Sequence, residues 1–396
     1  MFDGETFRSE GGTVLVDDGR IVGVEARSAA LPEGCQVTEF AGATVLPGLI
    51  DMHVHLCGDA ADGALDKLSD YSDEELDAVI AKSLQDEVAG GVTTVRDLGD
   101  RQWAVVAWRD RLAAVSTDRC LPTIVASGPP ITSPGGHCWN MGGEVQGRAE
   151  LRAAVRERAE RRVDVVKVMA SGGFVTAGTE VMACQFSLDD LSLIVDEAHG
   201  CGLGVTAHAH GLPAVHQALD AGVDGIEHCT CMTETGITLS DELVGRLASA
   251  GVVVCPTLGG AAGTAPPPAV LALLARTGRS LEAGQAARRA AFARMHKGGV
   301  TIASGSDAGI GEVKPHGVLA RGVGALAAGG VPVAEALASA TSVAAKAAGL
   351  GPSKGRLQPG YDADLLVIDG DLGHDVEGLE QVQAVYLRGR RVPPER

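Results

Sequence analysis

What most restricts the fold of this chain is an alternation. Short β-branched runs recur along it: "TVLPGLIDMHVH", "GVTTVRDLG", "PTIVASG", "VDVVKVMAS", "GVTAHAH", "DGIEHC", "GVVVCPT" and "TIASGSD". Most are followed by a segment with helical spacing. "SDEELDAVIAKSLQDEVAGG" opens on Ser72 and closes on glycine, and "SLDDLSLIVDEAHGCG" opens on Ser187, so both carry ordinary helix start and stop signals. Strands that alternate with helices pair in parallel. Eight such units predict an α/β fold in which the strands close into a (β/α)8 TIM barrel, and 396 residues suit that barrel with an appended piece. Aromatic residues make up only 3% of a chain that is 45% hydrophobic, so the core must be Ala, Val, Leu and Ile.

The termini follow a different pattern. "GTVLVDDGRIVGVEAR" reads as two strands about an Asp18-Gly19 hairpin turn, and "ADLLVIDG" and "AVYLRGRRV" add strand signals at the other end. Neither piece is long enough to bury a core alone, so residues 1–48 and 355–396 are expected to combine into one small β-sandwich-like domain beside a barrel over 49–354.

The net charge of −18 argues against nucleic acid and against an anionic membrane surface, which leaves a small molecule as the expected partner. The start, "MFDGETFRSE", carries acids where a secretory signal would be basic and then apolar, and no run reads as a membrane span. The nine cysteines are scattered with no CxxC pair, as expected for reduced, buried thiols in a cytoplasmic protein. Homo-oligomerisation is left open, since no self-complementary patch is visible.

In a barrel of this type the active site lies at the C-terminal ends of the strands. His53 and His55 leave the first strand on one face, because a strand has a period of two. Lys167 ends the fourth strand, His208 and His210 the fifth, His228 the sixth and Asp307 the eighth. A single histidine at a strand end is usually just a satisfied polar residue, and an aspartate after Gly-Ser is often a cap. Together on one rim, these groups would desolvate and repel one another unless a cation sat among them. Imidazoles and carboxylates are the donors that zinc and similar divalent ions prefer. Asp51, one layer deeper than His53, is expected to be a buried structural carboxylate.

"GLIDMHVHL", "VVKVMASGG", "TAHAHG", "GIEHC", "ASGSDAG" and "GRLQPGYDADLLVID" resemble, in order and over nearly the whole chain, the amidohydrolase superfamily of metal-dependent hydrolases. Within it the chain looks closest to the imidazolonepropionase-like and prolidase-like branch, which has a binuclear metal centre. The resemblance implies that His53 and His55 bind the more buried metal with Asp307, and that His208 and His228 bind the second. It implies that Lys167 carries a carbon dioxide-derived carbamate that bridges both. It implies two divalent ions, with Zn2+ expected and iron, manganese or cobalt accepted in vitro. It also implies hydrolysis of an amide, peptide or lactam-type C–N bond through a metal-bridging hydroxide, with Asp307 as base and then acid.

His137, in the loop "ITSPGGHCWNMGGEV", is either a donor to the substrate oxygen or a solvated loop histidine. Trp139 is a candidate pocket residue, and Gly172-Gly173 a second rim loop. His210 stands where the dipeptidase-like groups carry a tyrosine thought to meet a substrate carboxylate, which favours an uncharged or cyclic amide. Arg96 and Asp97 are expected to form a structural ion pair. Glu227, directly before His228, is expected to face the other way. Three alternatives remain: a mononuclear deaminase, a lactonase or phosphotriesterase, and a non-catalytic scaffold. Metal stoichiometry separates the first and last of them from a two-metal hydrolase.

Overall fold

In a computed structural model the described residues are 1–8, 12–114, 120–266, 268–373 and 376–393. The eight β-branched runs are strands: Leu49–Val54, Val92–Asp97, Thr123–Ala126, Val166–Met169, Val205–Gly211, Gly225–Thr233, Val253–Cys255 and Thr301–Ile302. They are the first to eighth strands below. All pair in parallel, in two runs. The first three pair in sequence, and the fourth to eighth pair in sequence. Isolated parallel bridges join the runs at both ends, Ile131 to Val168 and Val54 to Ala308. The backbone N–H of Met52 donates to the Ser304 carbonyl (3.1 Å) and that of Asp307 to the His53 carbonyl (2.7 Å), so the eighth strand and its exit lie against the first.

Helices alternate with the strands, and their ends match their sequence signals. Ser72 and Glu75 form a reciprocal capping box at the start of Asp73–Ala89, and the Ser187 hydroxyl accepts from the Asp190 N–H (3.1 Å). The seventh strand departs from one strand, one helix. Two helices, Pro268–Thr277 and Leu281–Lys297, follow it before the eighth strand. The core is aliphatic, as the composition requires, and Ile50, Met52, Cys255 and Ala303 pack together beneath the strand ends.

Both termini supply antiparallel strands. Ala43–Pro47 pairs with Leu365–Asp369, which pairs with Val382–Leu387 and through it with Arg390–Arg391. Thr13–Asp17 and Arg20–Glu25 form a separate hairpin. Its turn residues have positive φ, 44° at Asp18 and 76° at Gly19, which is what a tight two-residue hairpin loop needs. The buried Lys354 ammonium pairs with Asp362 (2.9 Å) and Asp364 beside these strands.

All nine cysteines are free. The expectation of buried thiols holds for Cys57, Cys138, Cys229, Cys231 and Cys255, whereas Cys35, Cys184 and Cys201 are exposed because they lie on loops and helix ends. Among the described residues no helix is long and apolar enough to cross a membrane.

Candidate active site

The first strand delivers His53 and His55 side by side, with ring centroids 5.3 Å apart. The Nε2 atoms of both lie near Asp307 Oδ1, at 3.3 and 3.4 Å. Their other nitrogens are engaged from behind: His53 Nδ1 with Glu227 Oε2 (2.8 Å) and His55 Nδ1 with the Gly99 carbonyl (3.1 Å). Such partners fix the tautomer and leave Nε2 bare for a ligand. Beneath them the fully buried Asp51 accepts from the backbone N–H groups of His53 (3.0 Å) and Ser306 (2.9 Å), tying the first strand to the eighth-strand exit. Burial, reinforced by Glu87, pushes the Asp51 carboxyl up to about 8.

A second group stands opposite. His208, His210 and His228 bring donor nitrogens within 4.8 Å of one another. The His208 and His228 rings are 4.6 Å apart, and His210 stacks on His228 at 4.3 Å. His208 Nε2 meets the Gly172 carbonyl (3.1 Å), and His228 Nδ1 meets the Thr257 hydroxyl (2.8 Å). His228 at 5.1 Å from His53 links the two groups. Burial lowers His53 to about 4 and His210 to about 3, and it takes His208 and His228 well below their usual value. These imidazoles are therefore neutral donors at neutral pH.

Lys167 lines the same cavity and is 1% exposed. Its Nζ has no hydrogen-bond partner among the described residues, and burial lowers the ammonium below its usual value. An orphaned amine amid neutral imidazoles and a carboxylate fits a divalent-metal centre, and an amine that readily sheds its proton fits a carbamate.

Two expectations are corrected. Glu227 does not face away. Left-handed backbone at His228 (φ 63°) and Cys229 (φ 43°) breaks the strand's alternation, so Glu227 points inward under His53 while His228 reaches the rim. Arg96 does not pair with Asp97, since neighbours on a strand point to opposite faces. Its guanidinium instead donates to Glu227 Oε1 (2.8 Å) and to the Met52 carbonyl (2.7 Å), while the Asp97 carboxylate accepts from the Leu56 N–H (2.8 Å). Thr206 also donates to Glu227 (2.5 Å). Burial alone would raise the Glu227 carboxyl, but Arg96 and His53 hold it well below the usual carboxylate range.

His137 is not a solvated loop residue. It is buried, lies 4.5 Å from the His208 ring and lines the cavity. Gly173 makes room for it, because a Cβ there would sit 2.2 Å from the imidazole. Trp139, 47% exposed, is not among the cavity-lining residues. The cavity measures about 470 Å³ and is walled on one side by the helices Pro268–Thr277 and Leu281–Lys297. Among the lining cations there, Arg288 and Lys314 carry no motif that sequence reasoning could have used.

Known proteins place this geometry. Residues 44–392 match the model of the amidohydrolase family. The chain is similar to ochratoxinase of Aspergillus niger, 27% identical over 97% of this chain and 82% of that one. It is also similar to imidazolonepropionase of Symbiobacterium thermophilum, 27% identical over 97% of this chain and 91% of that one. Among solved structures, a Xaa-Pro dipeptidase with methionine bound in its active site superposes with a TM-score of 0.83 at 26% identity, covering 99% of this chain and 97% of the other. The chain belongs to the amidohydrolase family and is a hydrolase.

Proposed function

We propose that this protein hydrolyses a C–N bond (amide, peptide or lactam-type) of a small molecule at a binuclear metal centre. His53, His55 and Asp307 would hold one ion and His208 and His228 the other, with Lys167 bridging as a carbamate. The observation that carries this reading is the buried, unpartnered Lys167 amine in a cavity lined by both donor groups. A one-metal deaminase gives that amine no task. Bound there, the ions (zinc by donor type) would polarise the scissile carbonyl and acidify the attacking water.

The chain's own residues do the rest. Burial alone would raise the Asp307 carboxyl, but His53 and His55 keep it below the usual carboxylate range. It is therefore a carboxylate at neutral pH, able to accept a proton beside the donor set and return it to a leaving amine. The Thr176 hydroxyl accepts from the Cys138 N–H (3.0 Å) and sits 2.9 Å from His137 Nδ1. It can then donate its O–H to that nitrogen, so that His137 carries its own proton on Nε2 and can donate to the substrate oxygen. His210, held by Thr230 (3.0 Å), faces the substrate.

Barrel closure over 49–354 is supported by the bridges at Val54 and Ile131, and a composite terminal β-domain by the shared Ala43–Pro47 and Leu365–Asp369 pairing. The free cysteines support a reducing, cytoplasmic setting. The test is metal analysis, peptide mass mapping of Lys167 and turnover of a library of N-acyl amino acids, dipeptides, lactams and cyclic imides. Two zinc ions per chain, an added CO2 on Lys167 and C–N cleavage are expected, with Lys167→Met binding at most one ion. Ester or phosphotriester turnover without any C–N cleavage would overturn the proposal.

A further inference from the structure

We infer that Thr257, held by Lys314 at the exit of the seventh strand, is a positioning residue for His228. Its hydroxyl fixes the proton of that imidazole on Nδ1 and so keeps Nε2 bare for the second ion. The inference rests on the two-metal reading above and adds to it a residue from a strand that supplies no ligand.

Along the rim, the sixth, seventh and eighth strands each place a left-handed non-glycine residue: His228 (φ 63°), Thr257 (φ 45°) and Asp307 (φ 64°). Such backbone is unfavourable for a residue with a Cβ, most of all for a β-branched one, and it persists where the surroundings hold it at a functional site. Two of the three are the proposed ligands of different ions. The third comes from the strand that pairs between theirs and is 2% exposed. Its side chain reaches a ligand, since Thr257 Oγ1 lies 2.8 Å from His228 Nδ1.

Cations from other elements gather the backbone carbonyls around this step. Arg288 Nη2, on the Leu281–Lys297 helix, donates to the Pro256 carbonyl (2.9 Å). Lys314 Nζ, in the loop after Asp307, donates to the carbonyls of Thr257 (2.9 Å) and Gly259 (2.6 Å). Charged donors make strong hydrogen bonds, so they hold Thr257 in a turn where an extended residue would continue the strand. The hydroxyl is thereby set to accept the Nδ1–H of His228, as the Gly99 and Gly172 carbonyls accept from His55 and His208. A neutral imidazole has one N–H, so a proton held on Nδ1 makes Nε2 the ligating nitrogen. Lys314 also joins the loop that follows Asp307 to the turn that sets His228, which couples a ligand of one ion to a ligand of the other.

The test reads the His228 tautomer by nitrogen NMR of histidine-labelled, metal-stripped protein, and zinc affinity by competition with a calibrated chelator. In the parent the His228 proton should sit on Nδ1. Thr257→Val keeps the branched shape without the hydroxyl. There the proton should move to Nε2, and the second zinc should bind about 10–100-fold more weakly while the first is unchanged. Thr257→Ser should restore both readouts. Lys314→Met should shift the tautomer the same way and weaken the second zinc, whereas loss of a cation that acts by charge alone would tighten both ions. Thermal melts check that each variant folds. A parent proton on Nε2, an Nδ1 proton that survives Thr257→Val, equal weakening of both ions, or tighter zinc in Lys314→Met overturns the inference. The tautomer needs neither metal nor turnover. One zinc per parent chain, or no C–N cleavage, with the tautomer response intact keeps the role of Thr257 and counts against the two-metal hydrolase. Two zinc ions and turnover without that response do the reverse.

Discussion

Glu227→Gln is the substitution that probes the support beneath the metal centre. Glu227 is fully buried and spends one oxygen on His53 Nδ1 and the other on Arg96 and Thr206. A glutamine has the same shape but a single acceptor oxygen. Arg96 and Thr206 both donate, so they claim that oxygen and turn the NH2 towards His53. His53 must then accept at Nδ1, which moves its proton to Nε2, the nitrogen beside Asp307. Loss of a carboxylate behind a ligating histidine costs about 10–100-fold in metal affinity, or about 1.4–2.8 kcal/mol. Removing one charge of a buried pair bounds the loss of metal-free stability at about 3–5 kcal/mol, and solvent screens little of this because Arg96 is 8% exposed and Glu227 0%. Competition with a calibrated zinc chelator gives the affinity, and urea unfolding of the stripped protein gives the stability. Unchanged zinc affinity alongside lowered stability would refute the tautomer argument and leave Glu227 only a structural role.

Asp307→Asn should lower turnover by about 100- to 10,000-fold while zinc is largely retained, measured as steady-state kinetics beside metal analysis; near-normal kcat would end its proposed role. His316, 3% exposed at its side chain, contacts the fully buried Glu87 at 2.9 Å. Burial alone would lower His316, but the Glu87 hydrogen bond and charge raise it above the usual value. The stability from this pair is therefore fully present below the unfolded-state value and is lost as pH rises through the folded one. Urea unfolding from about pH 6 to about pH 9 should show a larger loss for the parent than for His316→Gln, and equal losses would contradict the pairing.

The sequence made the strands and the polar groups at their ends legible, because hydrophobic alternation and period-two geometry are local. His53 and His55 share a face for that reason. What stayed hidden depended on backbone that is not regular or on partners far away in the chain. Alternation misplaces Glu227 because it assumes extended backbone through His228, where φ is positive. Arg96 pairs with a residue on another strand, 131 positions away. Arg288 lies on a helix with no pattern to mark which of its residues meets the cavity. Trp139 is marked in the sequence by its loop alone, and the loop turns it outward.

The left-handed step at His228 gives adjacent residues of one strand unlike tasks: Glu227 braces the first-strand histidine from below, and His228 closes the opposite donor group from above. Deleting one residue from 225 to 226, or adding one, would therefore do more than shift a register. A deletion would bring the ligand His228 to the brace's place, and an insertion would bring the brace Glu227 to the ligand's. This short stretch should tolerate substitution of its apolar residues far better than any change of length.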